Sequence, residues 1–232
     1  MKAAMFWSGG KDSSFALYKV LKETETKVAY LVTTINEEYR RISMHGIREN
    51  LLDAQVASIG IPLKKMLVPK ECTNELYEEN LLKVFAELKK EGVEAIIYGD
   101  IFLEDLKLYR EKLLEKAGLT GLFPLWKEDT ALLVNEFIAL GFKSILCCVK
   151  SDLLAKEFAG KLITEELINQ LPADVDSCGE NGEFHSFCYA GPIFKQEIKV
   201  EIGETVFKPY EVKTAQDLFQ HGFWFTDLLV HQ

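Results

Sequence analysis

Short apolar runs alternate with amphipathic stretches along the first 150 residues of the chain. Runs of strand length predict five β-strands, over residues 3–7, 28–35, 63–68, 93–98 and 143–149. Apolar residues at helical spacing predict the intervening helices, over about residues 15–21, 47–59, 75–91, 106–116 and 129–140. The alternation predicts an α/β fold, with a parallel sheet of about five strands and helices on both faces.

The alternation of strand-like and helical patterns stops after about residue 150. A short helix is expected over residues 162–171, followed by an irregular polar stretch. Strands are expected over residues 197–202 and 205–212, with Gly203-Glu204 as a hairpin turn between them. The apolar tail at residues 222–228 should dock as a further strand. We therefore predict a first domain at residues 1–150 and a smaller C-terminal α+β domain at residues 151–232.

Composition narrows the class of protein. Of 232 residues, 48% are hydrophobic and 27% are charged, which is typical of a globular protein. The formal net charge of −9 argues against a nucleic-acid partner. The apolar runs are too short for a membrane span or a signal peptide, so we expect a cytoplasmic protein with no membrane partner. Five cysteines without Cys-x-x-Cys spacing predict free, mostly buried thiols.

The segment Ser8-Gly9-Gly10-Lys11-Asp12-Ser13-Ser14, here called the glycine loop, lies between the first predicted strand and the first helix. Glycines allow a tight turn, and the amides at a helix N-terminus favour an anion. Lys11 adds a positive charge and is a predicted catalytic residue that would stabilise charge on the phosphates, and the serines add hydroxyl donors. The arrangement predicts a phosphate-binding cradle; the alternative is an ordinary Gly-Ser turn that carries a lysine. The spacing is not that of the Walker loop.

A second polar cluster occupies residues 178–187, Cys-Gly-Glu-Asn-Gly-Glu-Phe-His-Ser-Phe, here called the 178–187 segment. Carboxylates beside an imidazole can bind ammonium, hold an acceptor or move protons. The alternative is a polar loop whose side chains cap its own backbone. We predict catalytic roles for Glu183 and His185, across a cleft from the glycine loop, with His185 as the better base near neutral pH. Substrate contacts are expected from Glu180, Asn181, Gly182 and Ser186.

Two motifs resemble known families. Ser-Gly-Gly-Lys-Asp-Ser resembles the pyrophosphate loop of ATP pyrophosphatases, which split ATP between the α and β phosphates and adenylate a substrate oxygen. Together with the 178–187 segment, the loop resembles the diphthine–ammonia ligase family over most of the chain. That resemblance implies an adenine nucleotide alpha hydrolase-like fold in an ATP-binding domain, followed by an acceptor-binding domain. It also implies ATP with Mg²⁺, free ammonia, and a small-molecule or protein-borne carboxylate acceptor.

The match departs from the family pattern within the 178–187 segment. Diphthamide-making members look like Glu-Gly-Gly-Glu-(Phe/Tyr)-Glu-Thr, whereas this chain has Asn181, His185 and Ser186 at three of those positions. The variant is similar to a bacterial subgroup that has been linked to cobalamin metabolism. The resemblance therefore implies the ATP chemistry but leaves open whether the acceptor is diphthine or another carboxylate.

The loop motif and the rule that ligands bind at the carboxyl ends of parallel strands predict the nucleotide contacts. They are Ser8, Gly9, Gly10, Lys11, Asp12, Ser13, Ser14, Thr33, Gly99 and Asp100. Asp12 is also the candidate Mg²⁺ ligand, although it could simply cap the following helix.

Several residues, and the function itself, have more than one interpretation from the sequence. Thr33 and Thr34 could flank the adenine or serve only as strand formers, and Asp100 could cap a turn. His45 lies where a loop enters a helix, and Arg48 and Arg110 could each grip an anion or form a salt bridge. A homodimer is expected on base rates. The alternative functions are a tRNA-modifying ATP pyrophosphatase and a nucleotide sensor without catalysis.

Overall fold

A parallel sheet forms the centre of the first half of the molecule. The computed structural model describes residues 1–42, 45–209 and 221–231. The parallel strands are β1 (Lys2–Phe6), β2 (Lys27–Asn36), β4 (Leu63–Val68), β5 (Ala95–Ile97) and β6 (Thr120–Leu122). Their spatial order is β4-β2-β1-β5-β6, and a short β3 (Arg41–Ile42) pairs antiparallel with β2. The expected α/β class is confirmed.

Helices cover both faces of this sheet. They are α1 (Lys11–Glu23), α2 (Glu49–Ile59), α3 (Asn74–Lys90), α4 (Glu104–Ala117) and α5 (Thr130–Ala139). Successive side chains of β1 point to opposite faces, as the pleat requires. Met5 and Trp7 join one apolar core with residues of α1, α2 and α5, whereas Ala4 joins a second core with residues of α3 and α4. No helix in the described part of the chain is long and apolar enough to cross a membrane.

An antiparallel sheet forms the second half, in the order β8-β7-β10-β9. Its strands are β7 (Lys143–Lys150), β8 (Phe184–Ala190), β9 (Val200–Pro209) and β10 (Gly222–Val230). A 3₁₀ turn (Lys156–Phe158) and the short helix α6 (Glu165–Asn169) precede β8. Leu146, Phe187 and Leu228 of this sheet belong to the same buried core as Met5. The two halves therefore share one interior.

Two strand predictions for the parallel sheet were wrong. The run at residues 143–149 was expected as its fifth strand, but β7 pairs with β8 and β10 in the antiparallel sheet. β7 is buried along nearly its whole length, so its apolar pattern matches that of a parallel strand. The fifth parallel strand is β6, whose Thr-Gly-Leu sequence carries almost no strand signal. The domain boundary at residue 150 stays a prediction.

The expected hairpin turn at Gly203-Glu204 was also wrong. Both residues lie inside the continuous strand β9, which pairs with β10 instead of folding back at that point. Gly203 and Glu204 oppose the single residue Asp227, where the register shifts between Thr226 and Leu228, as in a β-bulge. The tail strand is confirmed as β10, and residues 210–212 of the expected second strand lie outside the described residues.

Candidate active site

The strand order reverses direction between β1 and β5. In a doubly wound sheet, a crevice opens at the carboxyl ends of the strands where the order reverses. The glycine loop follows β1, and Gly99-Asp100 follows β5, so both border this crevice. A Cβ on Gly99 would come within 2.9 Å of the carbonyl carbon of Asp12. The two loops therefore touch through their backbones, and glycine is required at residue 99 for that approach.

A buried amide holds the turn of the glycine loop. Gly9 has a φ of +78°, a left-handed conformation that favours glycine. The Gln55 side chain donates through Nε2 to the carbonyl oxygens of Gly9 (2.9 Å) and Cys188 (2.6 Å). Its Oε1 accepts from Nε1 of Trp7 at 3.0 Å. Gln55 thus joins α2, the glycine loop and β8, a role that no pattern in the sequence indicates.

Hydroxyl groups shape the rest of the loop. Ser8 Oγ accepts from the Gly10 amide at 3.3 Å, and the hydroxyls of Ser13 and Ser14 donate to the Gly10 carbonyl at 3.0 and 2.8 Å. The first amides of a helix lack intrahelical acceptors, which leaves the start of α1 suited to an anion. These serines hold the turn open at the N-terminus of α1.

Strand β8 lies directly against the glycine loop. The Cys188 amide donates to the Gly9 carbonyl at 2.8 Å, and the Lys11 amide donates to Ser186 Oγ at 3.1 Å. A Cβ on Gly10 would come 3.0 Å from the Ser186 carbonyl oxygen. The glycine loop and the 178–187 segment, which are far apart in sequence, are therefore adjacent in space.

A cavity of about 740 Å³ opens at this junction. The predicted site residues that line it are Ser8, Asp12, Ser13, Thr33, Gly99, Asp100, Glu180, His185 and Ser186. The predicted site residues outside its lining are Gly9, Gly10, Lys11, Ser14, Asn181, Gly182 and Glu183. The cavity also has walls that sequence reasoning missed, formed by Lys70, Cys72, Asn74, Tyr77, Leu106 and Tyr109. Tyr77 and Tyr109 sit on α3 and α4, where partly exposed aromatic residues gave no functional signal.

Lys11 does not line this cavity. Its side chain is buried, and its ammonium group forms an ion pair with Asp12, which does line it. Burial lowers the pKa of Lys11, but Asp12, Cys178 and Glu180 together outweigh that effect, and the pKa lies above its ordinary value. The amine lies 5.8 Å from the centroid of the Phe184 ring. In this conformation Lys11 is a buried positive charge behind the loop.

Glu183 supports its own loop. The carboxylate is almost fully buried, and Oε1 accepts from the Asp176 amide and from Nδ2 of Asn181, both at 3.0 Å. Asn181 itself is exposed. The contacts of Glu183 and Asn181 therefore match the alternative interpretation of the 178–187 segment, in which a polar loop caps its own backbone.

Glu180 is the carboxylate of the segment that faces the cavity. Its Oε1 accepts from the amides of Ile101 (2.7 Å) and Phe102 (3.3 Å), which follow β5. Burial, helped by the neighbouring charges of Asp12 and Asp100, raises its pKa to about 7 against the opposing effect of the two amides. Near neutral pH this group exists in both its protonated and ionised forms.

His185 forms a buried pair with His45. The ring centroids are 4.7 Å apart, and Nδ1 of His45 donates to the Ser186 carbonyl at 3.1 Å. Burial lowers the pKa of His185 to about 3, and the neighbouring His45 and Lys11 contribute in the same direction. Burial also lowers the pKa of His45. The expectation that His185 is the better base near neutral pH finds no support in this environment, which keeps both rings uncharged.

The wall formed by α4 carries an ion pair. Arg110 Nε lies 2.9 Å from Asp100 Oδ2, and its guanidinium lies 4.1 Å from the centroid of the Tyr98 ring. Burial raises the pKa of Asp100, and Arg110 opposes the shift. Arg48, in contrast, grips Asp227 of β10 through two nitrogens, at 2.9 and 2.6 Å. The salt-bridge interpretation therefore holds for Arg48, which fastens α2 to the second sheet.

The lining fits a nucleotide with its phosphates. Within the described part of the chain, the buried hydroxyls of Thr33 and Thr34 have no hydrogen-bond partner, so they can serve a polar ligand. Asp12 lines the same cavity and has the oxygen chemistry that Mg²⁺ prefers. Among the described residues, no group of three or more His, Cys, Asp or Glu side chains could hold a metal by itself.

Fold and site together define an α/β protein whose mainly parallel, doubly wound sheet carries a cavity at the carboxyl ends of its strands. Profile comparison adds the family: the diphthamide synthase N-terminal domain matches residues 1–121 and the diphthamide synthase C-terminal domain matches residues 129–218. The chain belongs to the diphthamide synthase family.

Individual relatives carry the name diphthine–ammonia ligase. The zebrafish (Danio rerio) protein is 26% identical over 226 residues, covering 89% of each chain. The mouse (Mus musculus) protein is 26% identical over 236 residues, covering 89% of this chain and 85% of the relative. A solved structure described as a predicted subunit of tRNA methyltransferase from Methanocaldococcus jannaschii aligns with a TM-score of 0.40. It is 13% identical and covers 65% of this chain and 80% of its own.

Proposed function

We propose that this protein is an ATP-dependent ligase that adenylates a carboxylate, releases pyrophosphate and forms an amide with ammonia. The family supports a ligase, and its relatives bear that name. The observation that carries the proposal is the single cavity whose walls include both the glycine loop and Glu180. Such a cavity can hold an activated carboxylate and an acid–base group together, which a nucleotide sensor does not need.

The nucleotide would bind between the glycine loop and the end of β2. The start of α1 and the Ser8 and Ser13 hydroxyls can hold phosphates, and the free hydroxyls of Thr33 and Thr34 suit the polar edge of a base or ribose. Mg²⁺ held by Asp12 and the phosphates would neutralise charge as pyrophosphate leaves. Lys11 adds fixed positive charge behind the loop.

Glu180 is our candidate for the acid–base group, in place of Glu183 and His185. Ammonia in neutral water is mostly ammonium, which must lose a proton before nitrogen can attack an acyl adenylate. An ionised Glu180 attracts the cation and can accept its proton, and a pKa of about 7 matches that task. The amides of Ile101 and Phe102 hold Oε1, so the carboxylate is aimed before the substrate arrives.

The acceptor side of the cavity carries the neutral His45–His185 pair. A carboxylate stands at the His185 position in the diphthamide-making pattern, so the local charge differs there. We propose that the acceptor is a carboxylate on a small molecule or a protein, and that it is not diphthine.

The proposed function is tested by pyrophosphate release. Purified protein with ATP, Mg²⁺ and ammonium is assayed against a panel of carboxylates. Glu180→Gln keeps an oxygen for the two amides but cannot accept a proton. We expect it to bind ATP normally and to lower the rate of amide formation by about 10²–10⁴-fold. The wild-type rate should rise with pH and level off above about 7, as Glu180 ionises, whereas the variant can use only free ammonia and its rate should keep rising beyond that pH.

A matched control is Glu166→Gln, which removes an exposed carboxylate on α6 and should keep the wild-type profile. Full activity in Glu180→Gln would remove Glu180 from the mechanism. ATP binding without pyrophosphate release across the whole panel would favour the sensor.

A further inference from the structure

A second pocket, of about 300 Å³, adjoins the nucleotide cavity. It lies between β3 and the paired strands β9 and β10, and its lining is Asn36, Tyr39, Arg41, Ile42, Gly46, Lys208 and Phe225. Asn36 and Ile42 also line the 740 Å³ cavity, so these two residues form a shared wall and the two spaces are adjacent.

Two basic side chains line the pocket, in a protein whose formal net charge is −9. They are Arg41, which forms an ion pair with Asp227 outside the lining, and Lys208, and none of the described residues that line the pocket is acidic. Arg41 is fixed, because Nη1 donates to the Gly46 carbonyl at 2.6 Å and to Asp227 Oδ1 at 2.9 Å. The Lys208 amine lies 4.8 Å from the centroid of the Phe225 ring. Two cations from different halves of the chain thus face one small space.

The pocket also has flat apolar walls. Phe225 presents its ring to Gly46, where a Cβ would come within 3.0 Å of Cδ1. Gly46 has a φ of +69°, so both the space and the backbone conformation require glycine there. The Tyr39 side chain also lines the pocket and is largely exposed. Aromatic walls beside cations suit a flat ligand group that carries negative charge.

We infer that this pocket binds a carboxylate or phosphate carried on a flat apolar group. The inference rests on the proposed function in one respect only: the natural ligand would be the end of the acceptor that does not react. The shared wall at Asn36 and Ile42 supports this assignment, since a long acceptor could reach both spaces at once.

Three probes with the same ring test the inference: 1-naphthyl phosphate, 1-naphthoate and the uncharged 1-naphthol. Binding is measured by calorimetry on the full chain with saturating ATP and Mg²⁺, so that the nucleotide cavity is filled. We expect at least one anionic probe to bind about tenfold or more tightly than 1-naphthol, because it gains a charge-assisted contact. The tighter of the two anions identifies the group that the pocket prefers.

Lys208→Glu should weaken the anionic probes by about tenfold or more and leave 1-naphthol unchanged. The matched control is Lys156→Glu, because Lys156 lies 5.4 Å from the Trp224 ring, and the neighbouring residues Trp224 and Phe225 point to opposite faces of β10. The control should bind all probes like the wild type. Equal binding of charged and uncharged probes, or wild-type affinity in Lys208→Glu, would overturn the inference. Anion binding in a protein that never releases pyrophosphate would refute the proposed function alone.

Discussion

Gly99→Ala tests whether the contact between two loops sets the geometry of the nucleotide cavity. The added methyl group would lie 2.9 Å from the Asp12 carbonyl carbon, 3.0 Å from its oxygen and 3.0 Å from the Ser13 amide nitrogen. Comfortable separations between carbon atoms are about 3.5–4.0 Å, so the loops must part by roughly 0.5–1 Å. All three neighbouring atoms belong to the backbone, so no side chain can swing aside to relieve the contact.

Overpacking of this size costs about 1–3 kcal/mol, so the free energy of unfolding should fall by that amount. Misplacing a binding group by about 1 Å can cost as much as 10²-fold, so ATP affinity should fall at least tenfold. Urea denaturation measures the first effect, and calorimetric titration with ATP and Mg²⁺ measures the second. The two losses together distinguish a displaced loop from simple instability.

Gly121→Ala on the neighbouring strand β6 is the matched control. Its methyl group would come 2.8 Å from Phe123 Cε2, an atom of a side chain that can move. This variant should lose little stability and keep its ATP affinity. If Gly99→Ala binds ATP as tightly as the wild type, the contact between the two loops does not set the geometry of the cavity.

Two further predictions concern buried polar side chains. Gln55→Leu removes the side-chain amide that bonds to the Gly9 and Cys188 carbonyls. The free energy of unfolding, measured by urea denaturation, should fall by about 2–4 kcal/mol. An unchanged midpoint would show that the loop does not need this link. Because the pKa of His185 is low in the folded protein, the unfolded chain binds more protons than the folded one between about pH 6.5 and about 3. The free energy of unfolding should therefore fall as the pH drops through that window, by up to about 1.4 kcal/mol per pH unit. Thermal unfolding from pH 7 to pH 4 should show a shallower fall for His185→Gln, and identical slopes would contradict the assignment.

The sequence was sufficient for the features that depend on local pattern. Alternating strands and helices implied a parallel sheet, and the carboxyl-end rule then brought the glycine loop and Asp100 to one crevice. Sheet membership is different, because an apolar run such as β7 looks the same in either sheet. A glycine within a strand is equally ambiguous, since Gly203 could have marked a turn and instead marks a bulge.

In the candidate site, too, some features follow from local sequence pattern and others depend on the folded backbone. Residues 180 and 183 are both glutamates, and nothing in their spacing tells which one faces the cavity. The backbone decides it, through left-handed conformations at Gly179 (φ +71°) and Gly182 (φ +82°) that send Glu180 toward β5 and Glu183 into its own loop. Gln55 could not be singled out either, because its three partners come together only in the folded protein.

The hydrogen bond from the Cys188 amide to the Gly9 carbonyl has a consequence for how this protein can change over time. The carbonyl of Gly9 in the glycine loop is bonded by strand β8 of the second half of the chain, so neither half carries the complete site. Under the proposed function, a substitution in β8 that suits a new acceptor would also alter the support of the loop that we propose to bind ATP. Acceptor choice and nucleotide binding would then evolve together, and a chimera that joins the two halves from distant relatives would first have to restore this hydrogen bond.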